Sequence, residues 1–243
     1  LSLNGQKISK SLGNVISNEH LVAEFGRDAA RYLLVSQFPF HLDGDISYPR
    51  LYEKYNSDLA NDYGNLVSRV VKLTMANFDG KIPPMEDAAD EHSRELSDLI
   101  AATPQKVAAQ IRDIDVLSAV ESIWSLIRAA NRYFDYSKPW ELAKLGDKTK
   151  LAAVLHRSLE AIRIAATLTW PIMPEKSEIV FSMLGLEGNY QPTIADAAKT
   201  NLLPAGTKLR PLDNIFPRLQ APKEEKVETT KTADTDLPEG VVT

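Results

Sequence analysis

Residues 7–11 read Lys-Ile-Ser-Lys-Ser, with Gly13-Asn14 just beyond. Two ammonium groups, two hydroxyls and a nearby glycine on a loop suit one ligand chemistry, phosphate. Lysines neutralise its oxygens, while hydroxyls and backbone N–H groups hydrogen-bond them. The same residues also fit a solvated basic turn. A second group lies within a helical pattern: Asn61, Asn65 and Arg69, at i, i+4 and i+8. A row of fork-shaped polar side chains on a helix that otherwise packs reads as a recognition surface. A third is Pro139-Trp140, with Lys138 and Lys144 close by. A tryptophan straight after a helix-breaking proline has two readings. It either anchors a corner of the fold or offers a platform for an unstacked base, with lysines for the backbone.

These groups need positioning, and the elements that do so can be read from periodicity. Across residues 47–77, Leu51, Tyr55, Leu59, Leu66, Val70 and Leu73 form one apolar stripe of a helix. Pro49 suits its first turn and Ser47 its cap. Asp79-Gly80 and then Pro83-Pro84 end it, giving a rod of about 45 Å. Ahead of it, Asn4-Gly5 signals a hairpin. Residues 17–38 read as two short helices, capped by Ser17 or Asn18 and broken at Gly26, and 41–45 as an acidic loop. After the rod, periodic stretches predict helices over 91–112, 115–136 and 149–170, with shorter ones over 140–144 and 175–184. Pro104 predicts two pieces, or a restart near Thr103, within the first of these. Trp124, among apolar neighbours at helical spacing, reads as core, and His156 as a surface or core histidine rather than a ligand. Residues 188–217 are loop-rich but carry apolar groups that can pack back. Residues 220–243 are polar and without aromatics, which reads as a disordered tail or linker. The fold class is therefore all-α, an antiparallel helix bundle preceded by a short loop and a helical connector.

Composition sets limits. The 243 residues carry a net charge of −5, so there is no global basic field and any nucleic-acid contact must be a local patch. No cysteine is present, which excludes disulfides and thiolate zinc sites and favours a reducing, cytoplasmic setting. No run of about 18 apolar residues predicts a membrane span. Leu1 falls inside what reads as a structured segment, and a longer protein with a preceding part is expected.

The run KISKS, followed by LGN and a capped helix, resembles the KMSKS signature loop of class I aminoacyl-tRNA synthetases, with Ile8 at the usual methionine position. The segments GRDAARYLLVSQFPFHLDGDIS, YNSDLANDYGNLVSR and IFPRL resemble the bacterial type of the methionyl-tRNA synthetase family. The resemblance covers residues 1–219. It implies the signature loop and a stem-contact connector over 1–47, and an anticodon-binding bundle over 48–219. It also implies attachment of methionine to its tRNA through an adenylate, with ATP and Mg2+ as used by the whole enzyme. Lys7, Ile8, Ser9, Lys10 and Ser11 would form the ATP loop. Lys7 and Lys10 would be catalytic on the triphosphate, with Lys10 acting in the transition state and the serines shaping the loop. The bundle would read the CAU anticodon of elongator and initiator methionine tRNAs. Trp140, after Pro139, matches the family's stacking tryptophan, and Asn65 with Arg69 its Asn-x-x-x-Arg pair. Four residues apart, both point to one side, so one base edge can meet an amide and a guanidinium together. Asn61, Asn131 and Tyr133 are further candidates.

The class's other signature, His-x-Gly-His, is absent; the four histidines read HLVA, HLDG, HSRE and HRSL. That motif, the methionine pocket and any metal knuckle are expected ahead of Leu1. The chain by itself is expected to bind no cofactor, to hold no metal and to form no adenylate. Two other readings remain at this point. One is another class I synthetase with a helical anticodon domain, such as that for cysteine, valine or isoleucine. The other is a non-catalytic helical module that binds RNA or protein.

Overall fold

The structure is a computed structural model that describes residues 2–3, 5–9, 16–39, 42–86, 90–186, 192–200 and 202–221. The chain opens with the hairpin that its turn residues predict. Strands β1 (Ser2–Leu3) and β2 (Gln6–Lys7) pair antiparallel, with Ser2 opposite Lys7. Gly5 takes φ 78°, a conformation that glycine adopts without steric cost. Asn4 lies outside the described residues. A third strand, β3 (Asp45–Ile46), runs parallel to β1 on its other side. The end of the expected acidic loop is therefore a strand, and the reason is local. The Asp45 carboxylate accepts from Ser2 Oγ at 2.6 Å and Gly5 N–H at 2.7 Å, tying loop to hairpin. Those two donors, the hydroxyl first, hold its carboxyl below the usual range.

The connector consists of two helices, α1 (Asn18–Phe25) and α2 (Arg27–Val35), joined at Gly26 with φ 79°. Ser17 caps α1 by accepting from His20 N–H. Asp28, buried on α2, accepts the N–H of Lys176 at 2.7 Å and so fastens a later helix.

The long rod follows, and it is not one α-helix. Helices α3 (Tyr48–Lys54) and α4 (Asn65–Asn77) flank a π-helical segment, Tyr55–Gly64. Ser47 has the extended backbone of a cap, but its side chain makes no capping bond. The π segment opens the wider i→i+5 spacing, and neighbouring elements dock into it. Trp124 Nε1–H donates to the carbonyl of Asp58 at 3.3 Å, and Asn131 Nδ2–H to that of Asp62 at 2.9 Å. Asn56 exchanges two hydrogen bonds with the backbone of Leu219. A Cβ on Gly64 would sit 3.0 Å from the Leu59 carbonyl and 3.2 Å from Asn214 Oδ1, so close approach fixes that glycine.

The bundle continues with α5 (Glu91–Arg112), α6 (Val116–Ser137), α7 (Pro139–Leu145), α8 (Lys148–Thr169), α9 (Pro174–Met183) and α10 (Ile194–Ala197). Helix α5 runs unbroken through Pro104, against the expected interruption. The local cost of an interior proline, about 3 kcal/mol, is offset by packing along α6 and α8. Helix α8 departs from the expected one-sided pattern. Every residue from Leu151 to Thr169 is buried, because α4, α5, α6, α7, α9 and α10 all pack on it. Most of its polar residues are satisfied internally, His156 Nε2 being an exception. Arg163 grips both oxygens of Glu160, at 2.7 and 3.0 Å, and the carbonyls of Asp196 and Lys199. Arg157 reaches Ser97 Oγ and the Tyr133 hydroxyl. His156 is core, its Nδ1–H on the Pro83 carbonyl at 2.8 Å. Leu203, Leu209, Ile215 and Phe216 of the late loops pack back onto the bundle. Among the described residues, no helix is long and apolar enough to cross a membrane. Of the tail read over 220–243, residues 222–243 lie outside the described residues.

Candidate nucleic-acid interface

The junction between α6 and α7 sets the site. Helix α6 ends at Ser137, and Lys138 adopts a left-handed conformation, φ 43° and ψ 57°, before Pro139 opens α7. A lysine with positive φ is uncommon, and it precedes a proline, which restricts it further. The turn leaves Pro139 buried and the next side chain, Trp140, at the surface with 37% of its area exposed. The Lys138 carbonyl accepts from Glu141 N–H at 2.8 Å, which closes the first turn of α7 behind the tryptophan.

Arg69, from the first turns of α4, meets this corner. Its guanidinium carbon lies 4.7 Å from the centre of the Phe134 ring and 5.8 Å from that of Trp140. Nη2 pairs with Asp135 Oδ1. Phe134 is fully buried and tilts against Trp140 with ring centres 6.4 Å apart. The result is a shallow face made of an indole and a guanidinium over an aromatic floor. Arg69 keeps N–H donors beyond the one on Asp135, and the pair is half exposed, so the partner can be exchanged. Such a face can stack an unpaired base and present edge donors to it.

The structure thus brings together Arg69, Trp140 and Pro139, three residues singled out from sequence. Asn65 is exposed one turn before Arg69 on the same helix. Asn61 is exposed too, but it lies in the π segment, where the rule that stacks residues four apart does not apply. Asn131 is half-buried, and its amide nitrogen serves the carbonyls of Asp62 and Ile127, a structural staple. Tyr133 is buried, with its hydroxyl held by Arg157. Sequence reasoning missed Asp135 and Phe134. Phe134 recurs at the helical spacing of the apolar residues of α6, which marks it as core and nothing more. Asp135 is 66 residues from its partner in the chain, and no local pattern announces that pairing.

The phosphate-type loop lies elsewhere. Lys7 is exposed at the end of β2, with Ile8 and Ser9 half-buried after it; Lys10 and Ser11 lie outside the described residues. At an α-helical rise Arg69 would stand roughly 30 Å along the rod from β3, so the two groups lie apart.

The profile described as "tRNA synthetases class I (M)" matches residues 1–71, and that described as "Anticodon binding domain of methionyl tRNA ligase" matches 83–234. The chain belongs to the methionyl-tRNA synthetase family. Among curated relatives of that family, the methionine–tRNA ligase of Clostridium acetobutylicum is 38% identical over 225 residues, covering 92% of this chain and 34% of the relative. That of Thermotoga maritima is 36% identical over 234 residues, covering 96% and 37%. The chain therefore spans about a third of the length of these relatives. A crystal structure of Mycobacterium tuberculosis methionyl-tRNA synthetase in complex with methionyl-adenylate superposes with a TM-score of 0.82 at 32% identity, covering 89% of this chain and 43% of that one. The free form of that enzyme gives 0.80 at 31%, covering 86% and 42%. Within the methionyl-tRNA synthetase frame, Arg69 falls under the class I profile and Trp140 under the anticodon-binding profile. The exposed face is therefore built where the two matched regions meet.

Proposed function

We propose that this chain is the anticodon-reading part of a methionine–tRNA ligase, and that it also contributes one loop to the chemistry. The observation that carries the reading is the Arg69–Trp140 face, an exposed indole beside a guanidinium with donors to spare. One base of the CAU anticodon stacks on Trp140, while Arg69 and Asn65 address its edge. Elongator and initiator methionine tRNAs share that anticodon, and both are substrates in this reading. Residues 48–219 form the reading bundle and residues 1–47 the signature loop with its connector.

In the whole ligase, methionine carboxylate attacks the α-phosphate of ATP, pyrophosphate leaves, and the adenylate esterifies the tRNA 3′ end. Charge grows on the phosphate oxygens in the transition state. The exposed Lys7 ammonium, with Lys10 beside it in sequence, would neutralise that charge as the loop closes. ATP arrives with Mg2+ on its phosphates and is a ligand of the whole enzyme. The chain by itself lacks His-x-Gly-His and forms no adenylate, and the enzyme works in the cytoplasm, where tRNA is charged.

The test is binding of this chain to methionine tRNA and to the same tRNA with its anticodon changed, repeated with Trp140→Ala. Stacking on one aromatic is worth about 1–3 kcal/mol, so roughly a ten- to hundredfold loss is expected from either change alone. Binding that ignores both changes would remove this assignment of the site.

A further inference from the structure

Beside the Trp140 face lies a second cluster that the reading above leaves unused. Tyr136 follows Asp135 by about 100° around α6, so it stands on the neighbouring exposed strip of the same helix end. Its ring is 59% exposed and lies 3.7 Å, centre to centre, from that of His92 at the start of α5. Between these helices is a cavity of about 240 Å³. Its floor is apolar and fixed: Leu96 and Ala129 are buried, and Tyr133 is held beneath by Arg157. At its rim, Arg132 and Glu95 pair loosely at 3.7 Å, with side chains 65% and 56% exposed.

These features make little sense as packing. An exposed tyrosine ring against a half-buried histidine, a cavity over an apolar floor and a loosely held ion pair leave room that the bundle does not fill. They match what an unstacked nucleobase needs: ring faces for stacking, a carboxylate to accept from an exocyclic amine, and a guanidinium for a neighbouring phosphate. A single strand crossing Arg69 and Asp135 reaches this strip next.

We propose that His92, Tyr136 and Arg132 form a second nucleotide site, which takes another base of the same single-stranded loop that places one anticodon base on Trp140. This rests on the Trp140 face being the anticodon reader. Tyr136 and His92 supply stacking, which every base can use, and Arg132 exchanges Glu95 for phosphate. The site therefore adds affinity and sets the path of the strand, while discrimination stays with Arg69, Asn65 and Trp140.

The test is binding of the full 243-residue chain to a synthetic anticodon stem–loop RNA of methionine tRNA, with each loop nucleotide in turn made abasic. Tyr136→Ala is expected to weaken binding roughly five- to fiftyfold, and Tyr136→Phe to restore it. At one loop position the abasic RNA should bind Tyr136→Ala and the unaltered chain alike. Discrimination against a changed anticodon should survive in Tyr136→Ala and vanish in Trp140→Ala. Arg132→Gln, which removes the charge and keeps a polar side chain, should lower the slope of log affinity against log salt by about one. Equal binding by Tyr136→Ala and the unaltered chain, with Trp140→Ala still impaired, overturns the second site and leaves the reader standing. Equal binding by all three overturns the reader as well.

Discussion

Trp124 and Trp140 stand in the same bundle, and their surroundings differ in what is left for another molecule to touch. Trp124 is 1% exposed, stacks on Tyr32 with ring centres 4.3 Å apart, and gives its N–H to the Asp58 carbonyl. Trp140 leans on Phe134 and Arg69 and keeps a face in solvent. The arginine–carboxylate pairs repeat the contrast. Arg163 is fully buried and holds Glu160 together with two carbonyls. Arg69 holds Asp135 alone, at the surface. In the interior the same residue types have exhausted their partners, and there they fix helix against helix. At the Arg69–Trp140 face they keep donors and ring faces that can be exchanged, which is what a binding surface requires.

The contrast breaks most visibly at Arg163. Arg163→Met leaves Glu160 buried without its cation and strands two carbonyls, at an expected cost of about 3–5 kcal/mol. Thermal or denaturant unfolding checks this, and a variant as stable as the parent would mean that the interior pair does not lock α8 to the loop after α10. Next come the two tryptophans, which should cross over. Trp124→Ala is expected to cost about 3–5 kcal/mol of stability. Trp140→Ala should cost less than about 1 kcal/mol while losing the RNA affinity described above. Equal stability losses would show that Trp140 is a corner anchor instead.

A smaller effect sharpens the difference between the pairs. Asp135→Asn removes the competitor for the Arg69 guanidinium, and binding to RNA of any anticodon should rise by several-fold at low salt, read by anisotropy. Unchanged affinity would mean that Asp135 does not compete with the base. The smallest effect concerns Asp28, an interior carboxylate that has a backbone N–H rather than a cation. Burial pushes its carboxyl up, with the Lys176 N–H opposing. The folded chain then holds that proton more tightly than the unfolded chain does. Stability therefore falls as pH rises from about 3.9 through the raised value. Asp28→Asn keeps an oxygen for Lys176 and should flatten that slope. Denaturation curves at several pH values decide it, and parallel slopes in both chains would refute it.

Much of the helical content could be read from sequence, because apolar periodicity and capping are local. The hairpin at Gly5, the break at Gly26, the core role of Trp124 and the helices α6 and α9 follow from residues a few positions apart. Local rules failed where a second element intervened. Pro104 does not divide α5, because packing on two helices outweighs the turn's own preference. The one-sided stripe read over residues 149–170 became a helix buried all round, and its charged residues found partners from α5, α6 and the loop after α10. The π segment has no local signature. It exists where Trp124, Asn131 and the chain at Asn214 to Leu219 dock into the rod, groups that tertiary folding brings together.

The site divides along the same line. Residue types and local spacing were enough to single out the candidates: the paired lysines near the start, the Asn65–Arg69 spacing on one helix face, and the tryptophan after Pro139. Their types and short-range spacing settle that, since four residues on a helix always share a side. That Arg69 reaches Trp140, that Phe134 and Asp135 complete the face, and that Asn131 and Tyr133 turn to partners within the bundle emerged from the packing of the helices. Those outcomes depend on α4, α6 and α7 converging at the left-handed turn of Lys138, and no spacing along the chain encodes a contact between helices.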